Sequence, residues 1–306
     1  MESGFESYLK GEKLKAPTIT QHVRNTGYFL SWFEKEGLAI TQTTRKEILD
    51  FVDRQRDGGS SINHINRILL SLRYYFAYLN RENVISGNPA SGLQVKGAVR
   101  TVPSGLLEKK ELDQLYESYA VKDGRTHRNK TMLGLLVYQG LTREELETLR
   151  PEHLKLREGR ISIPETNKNS GRTLELKPFQ ILDLQEYVLV IRPKILAGQR
   201  STERPGRKPR EFKTVEAIKQ LFTSLNGSEN IKNSLLHLGY ALKKINPKYR
   251  NATQVRQSVI TEWLKEKGLR QVQYMAGHRY VSSTERYLTT NLEDLREALN
   301  KHHPLK

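Results

Sequence analysis

Three residues in the last sixth of the chain, Arg256, His278 and Tyr287, are of the types that transesterification at a phosphate requires. A phenol oxygen can attack phosphorus and hold it covalently. A guanidinium can stabilise charge on the non-bridging oxygens, and an imidazole can give or take the proton. Singly, none of them is informative, because a lone Arg, His or Tyr in a basic helical protein is usually structural. The joint spacing carries the reading: Thr253-Gln254-Val255-Arg256, then Ala276-Gly277-His278, then Tyr287 nine residues on, at the end of Ser282-Ser283-Thr284-Glu285-Arg286. A helix beginning near Thr253 projects Arg256 from its first turn, where free backbone N–H groups also favour a phosphate.

The elements that position these residues follow from periodicity. Gln254 to Lys267 and, after Gly268, Leu269 to Met275 read as helices. Between Leu154 and Pro178 the period changes to two. Arg160-Ile161-Ser162-Ile163 and Thr173-Leu174-Glu175-Leu176 alternate around the turn residues Asn167 to Gly171, a β-hairpin signature. Further helices are expected near Leu107 (with Leu112, Leu115 and Tyr116), from Asn129 to Gln139, from Val215 to Leu225 and from Asn230 to Ile245. The second of these is apolar nearly all round and should be buried. Arg200 to Lys213 reads as a charged loop facing solvent or DNA.

The first ~100 residues form their own helical pattern. Ile19, Val23, Phe29, Leu30, Trp32 and Phe33 mark a helix stopping at Gly37, and Arg45 to Gln55 a shorter one. After Gly58-Gly59-Ser60-Ser61, the residues Ile62, Ile65, Ile68, Leu69, Leu72, Phe76 and Leu79 follow the i, i+3, i+4, i+7 rule. Gly87-Asn88-Pro89 ends that bundle, and the basic Gly- and Pro-punctuated stretch Ser91 to Ser104 reads as a linker. The expected fold is mainly α with a small β-hairpin or sheet (α+β). Residues 1–90 form an N-terminal helical domain, 91–104 a linker and 105–306 the domain carrying the candidate chemistry.

Composition narrows the partners. With 51 Lys+Arg against 34 Asp+Glu, the net charge of +17 favours a polyanion, nucleic acid first and an anionic membrane surface second. No apolar run approaches the ~20 residues that span a bilayer, and Met1 to Lys13 lacks the apolar core of a secretion signal. Cysteine is absent, which excludes disulfides, thiolate metal sites and a Cys nucleophile. There is no DxD, HxH, HExxH or GxxxxGK[ST] arrangement, which argues against a metal-dependent nuclease and against nucleotide hydrolysis. A cytoplasmic, nucleoid-associated protein without metal or cofactor is expected, with His302 and His303 simply solvated.

The ordered set of motifs resembles the tyrosine recombinase (phage-integrase-like) family. Its first box, Gly-Leu-Arg-Ile-Ser-Glu-Leu, lines up with Gly140-Leu141-Thr142-Arg143-Glu144-Glu145-Leu146, and its His-x-x-Arg box with Thr253 to Arg256. The Leu-Gly-His box lines up with Ala276-Gly277-His278, and Tyr287 follows at the usual interval. Lys168, four residues before Arg172, looks like the family's hairpin lysine. The resemblance implies a site-specific recombinase or integrase, of the kind found on mobile elements, that cleaves and rejoins double-stranded DNA through a 3′-phosphotyrosyl bond at Tyr287. It further implies that Lys168 protonates the 5′-hydroxyl leaving group and that the N-terminal bundle is a core-binding, SAM-like DNA-binding domain. The two domains would form a C-shaped clamp around DNA, with Arg67, Arg73 and Arg172 as candidate DNA contacts. Leu292, Leu295 and Leu299 form a short apolar stripe. It either packs on its own domain or, by resemblance, docks on a neighbour in a homo- or hetero-tetramer.

Two positions depart from the family. Thr142 stands for the first-box arginine and Thr253 for the second-box histidine. Threonine supplies neither the charge nor the two-pronged donor of a guanidinium. Losing a comparable transition-state donor costs roughly 3–4 kcal/mol, or ~100- to 1,000-fold in rate. Arg143 and Arg150 are candidate substitutes, although neighbours on a helix diverge by about 100°. The departures keep two rivals open: a weak or inactive DNA-binding accessory protein on the same scaffold, and a DNA-relaxing topoisomerase. The integrase-type N-terminal bundle argues against the second.

Overall fold

A computed structural model of the protein describes residues 2–97, 103–198, 218–225 and 230–288. The chain forms two compact units that divide between Arg100 and Thr101.

The first unit is built from α1 (Glu2–Gly11), α2 (Ala16–Lys35), α3 (Arg45–Asp57) and α4 (Ile62–Arg81). Their starts and stops are written locally. Thr44 and Glu47 close a capping box at α3, and the Ser61 hydroxyl caps α4. Gly37 takes φ +67° after α2, and Leu38 N–H returns to the Phe33 carbonyl at 3.2 Å, a Schellman closure that favours glycine. The core centres on Phe29, whose ring lies edge-on to Phe51 (5.2 Å) and Phe76 (6.0 Å). α1 is not visible in the sequence pattern, since only Phe5 and Leu9 of it are fully buried in the core, with Tyr8 packed at its edge. The stretch that begins the expected linker is packed. Leu93 and Val95 are buried, and the Asn66 side-chain amide grips Val95 at both ends, Nδ2 donating to its carbonyl and Oδ1 accepting from its N–H, each at 2.9 Å. Of the proposed linker, residues 98–102 lie outside the described residues.

The second unit wraps α5 (Lys109–Glu117), α8 (Pro178–Glu186), α10 (Lys232–Ile245) and α11 (Ala252–Glu266) around α6 (Gly124–Tyr138). Met132, Leu133, Leu135, Leu136 and Val137 of α6 are all buried, as an all-round apolar helix must be. After α7 (Arg143–Thr148) comes an antiparallel sheet of β1 (Leu154–Lys155), β2 (Arg160–Ile163) and β3 (Arg172–Glu175). Ile161 pairs with Leu174 and Ile163 with Arg172, so these four residues of the expected hairpin share the core face. A π-turn, Tyr187–Ile191, joins α8 to α9 (Arg192–Gly198) just before Pro193, whose missing N–H interrupts the α ladder. α12 (Leu269–Ala276) and the short α13 (Ser282–Glu285) complete the described chain. Among the described residues, no helix is long and apolar enough to cross a membrane.

One expected helix is corrected. Residues 218–225 of the predicted Val215–Leu225 helix are not helical. Arg192 donates to the carbonyls of Ile218 and Gln220, Arg128 donates to that of Thr223, and Leu221 N–H bonds the Leu149 carbonyl. These long-range partners replace the i→i−4 ladder and let Leu221 and Phe222 bury together. Residues 215–217, the Arg200–Lys213 loop, the Leu292/Leu295/Leu299 stripe, His302 and His303 lie outside the described residues.

The Asn66–Val95 clasp generates a stability expectation. Asn66→Ala removes two hydrogen bonds and should lower unfolding stability by about 1–3 kcal/mol. Chemical denaturation of the full chain followed by circular dichroism checks this, and an unchanged midpoint contradicts the clasp.

Candidate active site

The centre of the second unit is Arg256. Asn251 caps α11 with its side-chain oxygen on the Gln254 N–H (3.0 Å), which sets the first turn and swings Arg256 inward. Its guanidinium donates at 2.5 Å to the Gly140 carbonyl and at 2.5 Å to the Ala276 carbonyl, tying the loop before α7 to the end of α12. Beneath it lies Glu145, wholly buried. One carboxylate oxygen accepts from Arg172 (2.5 Å) and from the Asn169 amide (3.0 Å), while the other accepts from Thr142 N–H (2.8 Å) and stands 3.7 Å from Arg256. Burial pushes the Glu145 carboxyl upward, but the hydrogen bond and charge of Arg172, then the charge of Arg256, outweigh it and hold the group below its ordinary range. Removing one partner from a buried pair costs about 3–5 kcal/mol, so this cluster is also structural.

Gly277 ends α12 at φ +69°. A Cβ there would stand 2.5 Å from the Arg172 guanidinium and 3.0 Å from the Ser170 carbonyl, so glycine is required on two counts. Its carbonyl accepts from Ser170 N–H at 2.9 Å, and Asn169 forms a β-bridge with His278. The β2–β3 loop therefore fixes the height of the imidazole. His278 Nδ1 bonds the fully buried Thr284 hydroxyl at 2.8 Å, leaving Nε2 for other partners. Burial first, then Arg256, Arg172 and Arg286, push His278 down to about 4, so the ring is neutral at neutral pH.

A cavity of about 730 Å³ opens on this cluster, and its walls include Thr142, Arg143, Lys168, Thr253, Arg256 and His278. Six of the residues singled out from sequence thus converge. Lys168 reaches out from the β2–β3 loop, its side chain 75% exposed and 3.2 Å from Glu144. Thr253 is exposed on the first turn of α11. Thr142 is committed to folding: its hydroxyl caps α7 by accepting from Glu145 N–H. Arg143 is exposed and leans on Glu147 one turn along, while Arg150 pairs with Glu152 and does not line the cavity.

Tyr287 lies beside the cavity rather than on its wall. It is 6% exposed and nested against Ile260, Val272 and Ala276, with its ring stacked on His278 (6.1 Å between centroids, 12° between planes). Burial pushes the phenol up in pKa, and Arg286 and then Arg256 pull it back. Arg172, expected on the DNA face, is corrected to the interior. β-strand alternation places it on the same face as Leu174, and its side chain has no exposed surface. In the first unit, Arg67 is exposed beside Arg24, Gln21 and His64 around a polar hollow. Arg73 is half-buried, with its Nε buried and without a hydrogen-bond partner among the described residues.

Sequence reading missed four participants. Glu145 had a visible signal, the Thr142-x-x-Glu145 capping box, but that pattern speaks of a helix start and not of two arginines beneath it. Thr284 is seen only in its contact with His278. Lys243 and Tyr240 of α10 line the cavity and became site residues only once the fold brought α10 to it.

Known proteins match the chain along nearly its whole length. The phage integrase family matches residues 106–293, and the phage integrase N-terminal SAM-like domain matches residues 3–83. The chain is 27% identical over 306 residues to tyrosine recombinase XerC of Oceanobacillus iheyensis, spanning 98% of this chain and 94% of that protein. It is 24% identical to tyrosine recombinase XerD of Proteus mirabilis, spanning 99% and 92%. Among solved structures, XerH recombinase in a post-cleavage complex with palindromic difH substrate aligns with a TM-score of 0.71 at 20% identity, covering 97% of this chain and 84% of that one. A lambda integrase dimer on a COC′ core site aligns with a TM-score of 0.58 at 14% identity, covering 92% of each chain. These structural likenesses establish the fold, and the family match places the function: the chain belongs to the phage integrase family and is a tyrosine-type site-specific recombinase.

Proposed function

We propose that Tyr287 is the nucleophile of this recombinase, and that Arg256, His278 and Lys168 serve the same phosphate. The observation that carries the proposal is the convergence of Arg256, His278 and Lys168 on one cavity, with the Tyr287 ring stacked against the imidazole at its edge. The Tyr287 oxygen attacks phosphorus, and the P–O5′ bond breaks to leave a 3′-phosphotyrosyl bond and a 5′-hydroxyl. Neutral His278 receives the phenolic proton, Lys168 delivers a proton to the departing oxygen, and Arg256 stabilises the non-bridging oxygens. Attack by the 5′-hydroxyl of a second strand reverses each step, so the energy of the bond is conserved and no nucleotide is consumed. Because Tyr287 is 6% exposed, DNA has to draw the phenol out of its apolar nest before attack.

The same reading makes double-stranded DNA the partner, with residues 1–90 as its core-binding domain and Arg67 as a phosphate contact. It places the protein in the cytoplasm at the nucleoid and assembles it as a tetramer through the Leu292/Leu295/Leu299 stripe. Thr142 and Thr253 predict slow turnover rather than none.

Three outcomes test this. Wild-type protein mixed with a nicked duplex recombination site should form an SDS-stable DNA adduct that Tyr287→Phe abolishes. Tight binding without an adduct in either protein would return the accessory reading. Lys168→Ala should slow cleavage by about 100-fold or more, and replacing the bridging 5′-oxygen with sulfur, a better leaving atom, should restore most of the loss. Absence of rescue removes Lys168 as the proton donor. Cleavage should be steady from pH 7 to about 5 and fall as His278 charges near its value of about 4. The sign for stability is the same. His278 sits below its unfolded value near 6.5, so its contribution is present above that pH and is lost as pH falls toward about 4. A profile that instead falls between pH 8 and 6.5 contradicts a neutral imidazole.

A further inference from the structure

The family position for a second guanidinium is Thr142, and neither neighbour is seen in the Arg256–Glu145 cluster. Arg143 is turned to Glu147, and Arg150 is off the cavity. Yet a second arginine is present in the cluster, from β3. We propose that Arg172 is the positioning residue that offsets this loss: by neutralising Glu145, it leaves the charge of Arg256 uncancelled toward the phosphate. The inference rests on the reading of this cavity as the phosphate site.

The charge arithmetic is simple. Glu145 alone with Arg256 is a neutral pair, and an arriving phosphate would compete with a carboxylate 3.7 Å from its only guanidinium. With Arg172 on the other carboxylate oxygen at 2.5 Å, two positive groups share one negative group and the buried cluster carries one net positive charge. A buried net charge is costly unless something completes it, and the open side of this cluster is the cavity. Arg172 also holds more donor capacity than folding uses. Nε donates to the Met275 carbonyl at 2.7 Å and Nη1 to Glu145, while Nη2 is buried without a hydrogen-bond partner among the described residues. Arg172 acts at a distance, since its side chain has no exposed surface and does not line the cavity. Its field nevertheless reaches the other members, being one of the influences that lower both Arg256 and His278.

The test measures anion binding apart from DNA cleavage. Inorganic orthovanadate, a phosphate analogue, is titrated into the full chain while the His278 imidazole is followed by NMR. The variants are Arg172→Met, Arg172→Lys, Glu145→Gln and Glu145→Gln/Arg172→Met. Arg172→Met should weaken vanadate binding by about tenfold or more, and Arg172→Lys, which keeps the charge, by less than about threefold. Once Glu145 is Gln there is no carboxylate to close on Arg256 from its 3.7 Å separation and only the more distant field of Arg172 is lost, so adding Arg172→Met to Glu145→Gln should cost clearly less than Arg172→Met alone, under about threefold. That last comparison decides the matter even if Arg172→Met alone fails to fold. A tenfold loss there, or wild-type affinity in folded Arg172→Met, overturns the proposal, as does wild-type protein that does not bind vanadate. If the variants follow the predicted pattern but the wild type forms no phosphotyrosyl adduct, Tyr287 falls as nucleophile and the role of Arg172 stands.

Discussion

The buried carboxylate of Glu145 is the constraint on which the second unit depends. A lone ionised carboxylate in a protein interior is strongly disfavoured, and here every bond that stabilises it is a bond to the site. Through Arg172 it holds the sheet to the last turn of α12. Through Asn169 it holds the β2–β3 loop that bridges to His278, through the Thr142 N–H the start of α7, and through Arg256 the start of α11. Four segments distant in sequence are thereby fixed around one point. The site inherits its geometry from that point and not from any single loop.

This arrangement also accounts for the departures from the family pattern. Thr142 supplies a helix cap where the family pattern has a charged side chain, and α7 thereby begins where Glu145 can turn inward. The residue does structural work for the same carboxylate that the two arginines share. At position 253, an exposed threonine on the cavity wall leaves His278 as the imidazole lining the cavity among the described residues.

Much of this was legible from the amino-acid sequence. Joint spacing located Arg256, His278 and Tyr287, and alternation located β2 and β3. Of the helices that line the site, α10 and α11 were expected from the sequence, whereas the six-residue α7 is too short to show a period. What was hidden has physical causes. Arg172 reads as a surface cation by type, although its i, i+2 relation to Leu174 and Leu176 was available and places it inside. The non-helical course of residues 218–225 depends on Arg128 and Arg192, whose carbonyl partners lie 26 to 95 positions away in the chain. The stacked, buried position of Tyr287 follows from α11 and α12 closing around it, which no local pattern encodes.

The most direct measurement is a structure of the full chain on an uncleaved DNA site, with attention to one phosphate. The Tyr287 oxygen is expected in line with the P–O5′ bond, both Arg256 prongs on the non-bridging oxygens, His278 Nε2 within hydrogen-bond reach and Lys168 at the 5′-oxygen. A complex in which DNA is fully engaged while Tyr287 stays between His278 and Ile260, with the phosphate bound away from Arg256, would contradict it.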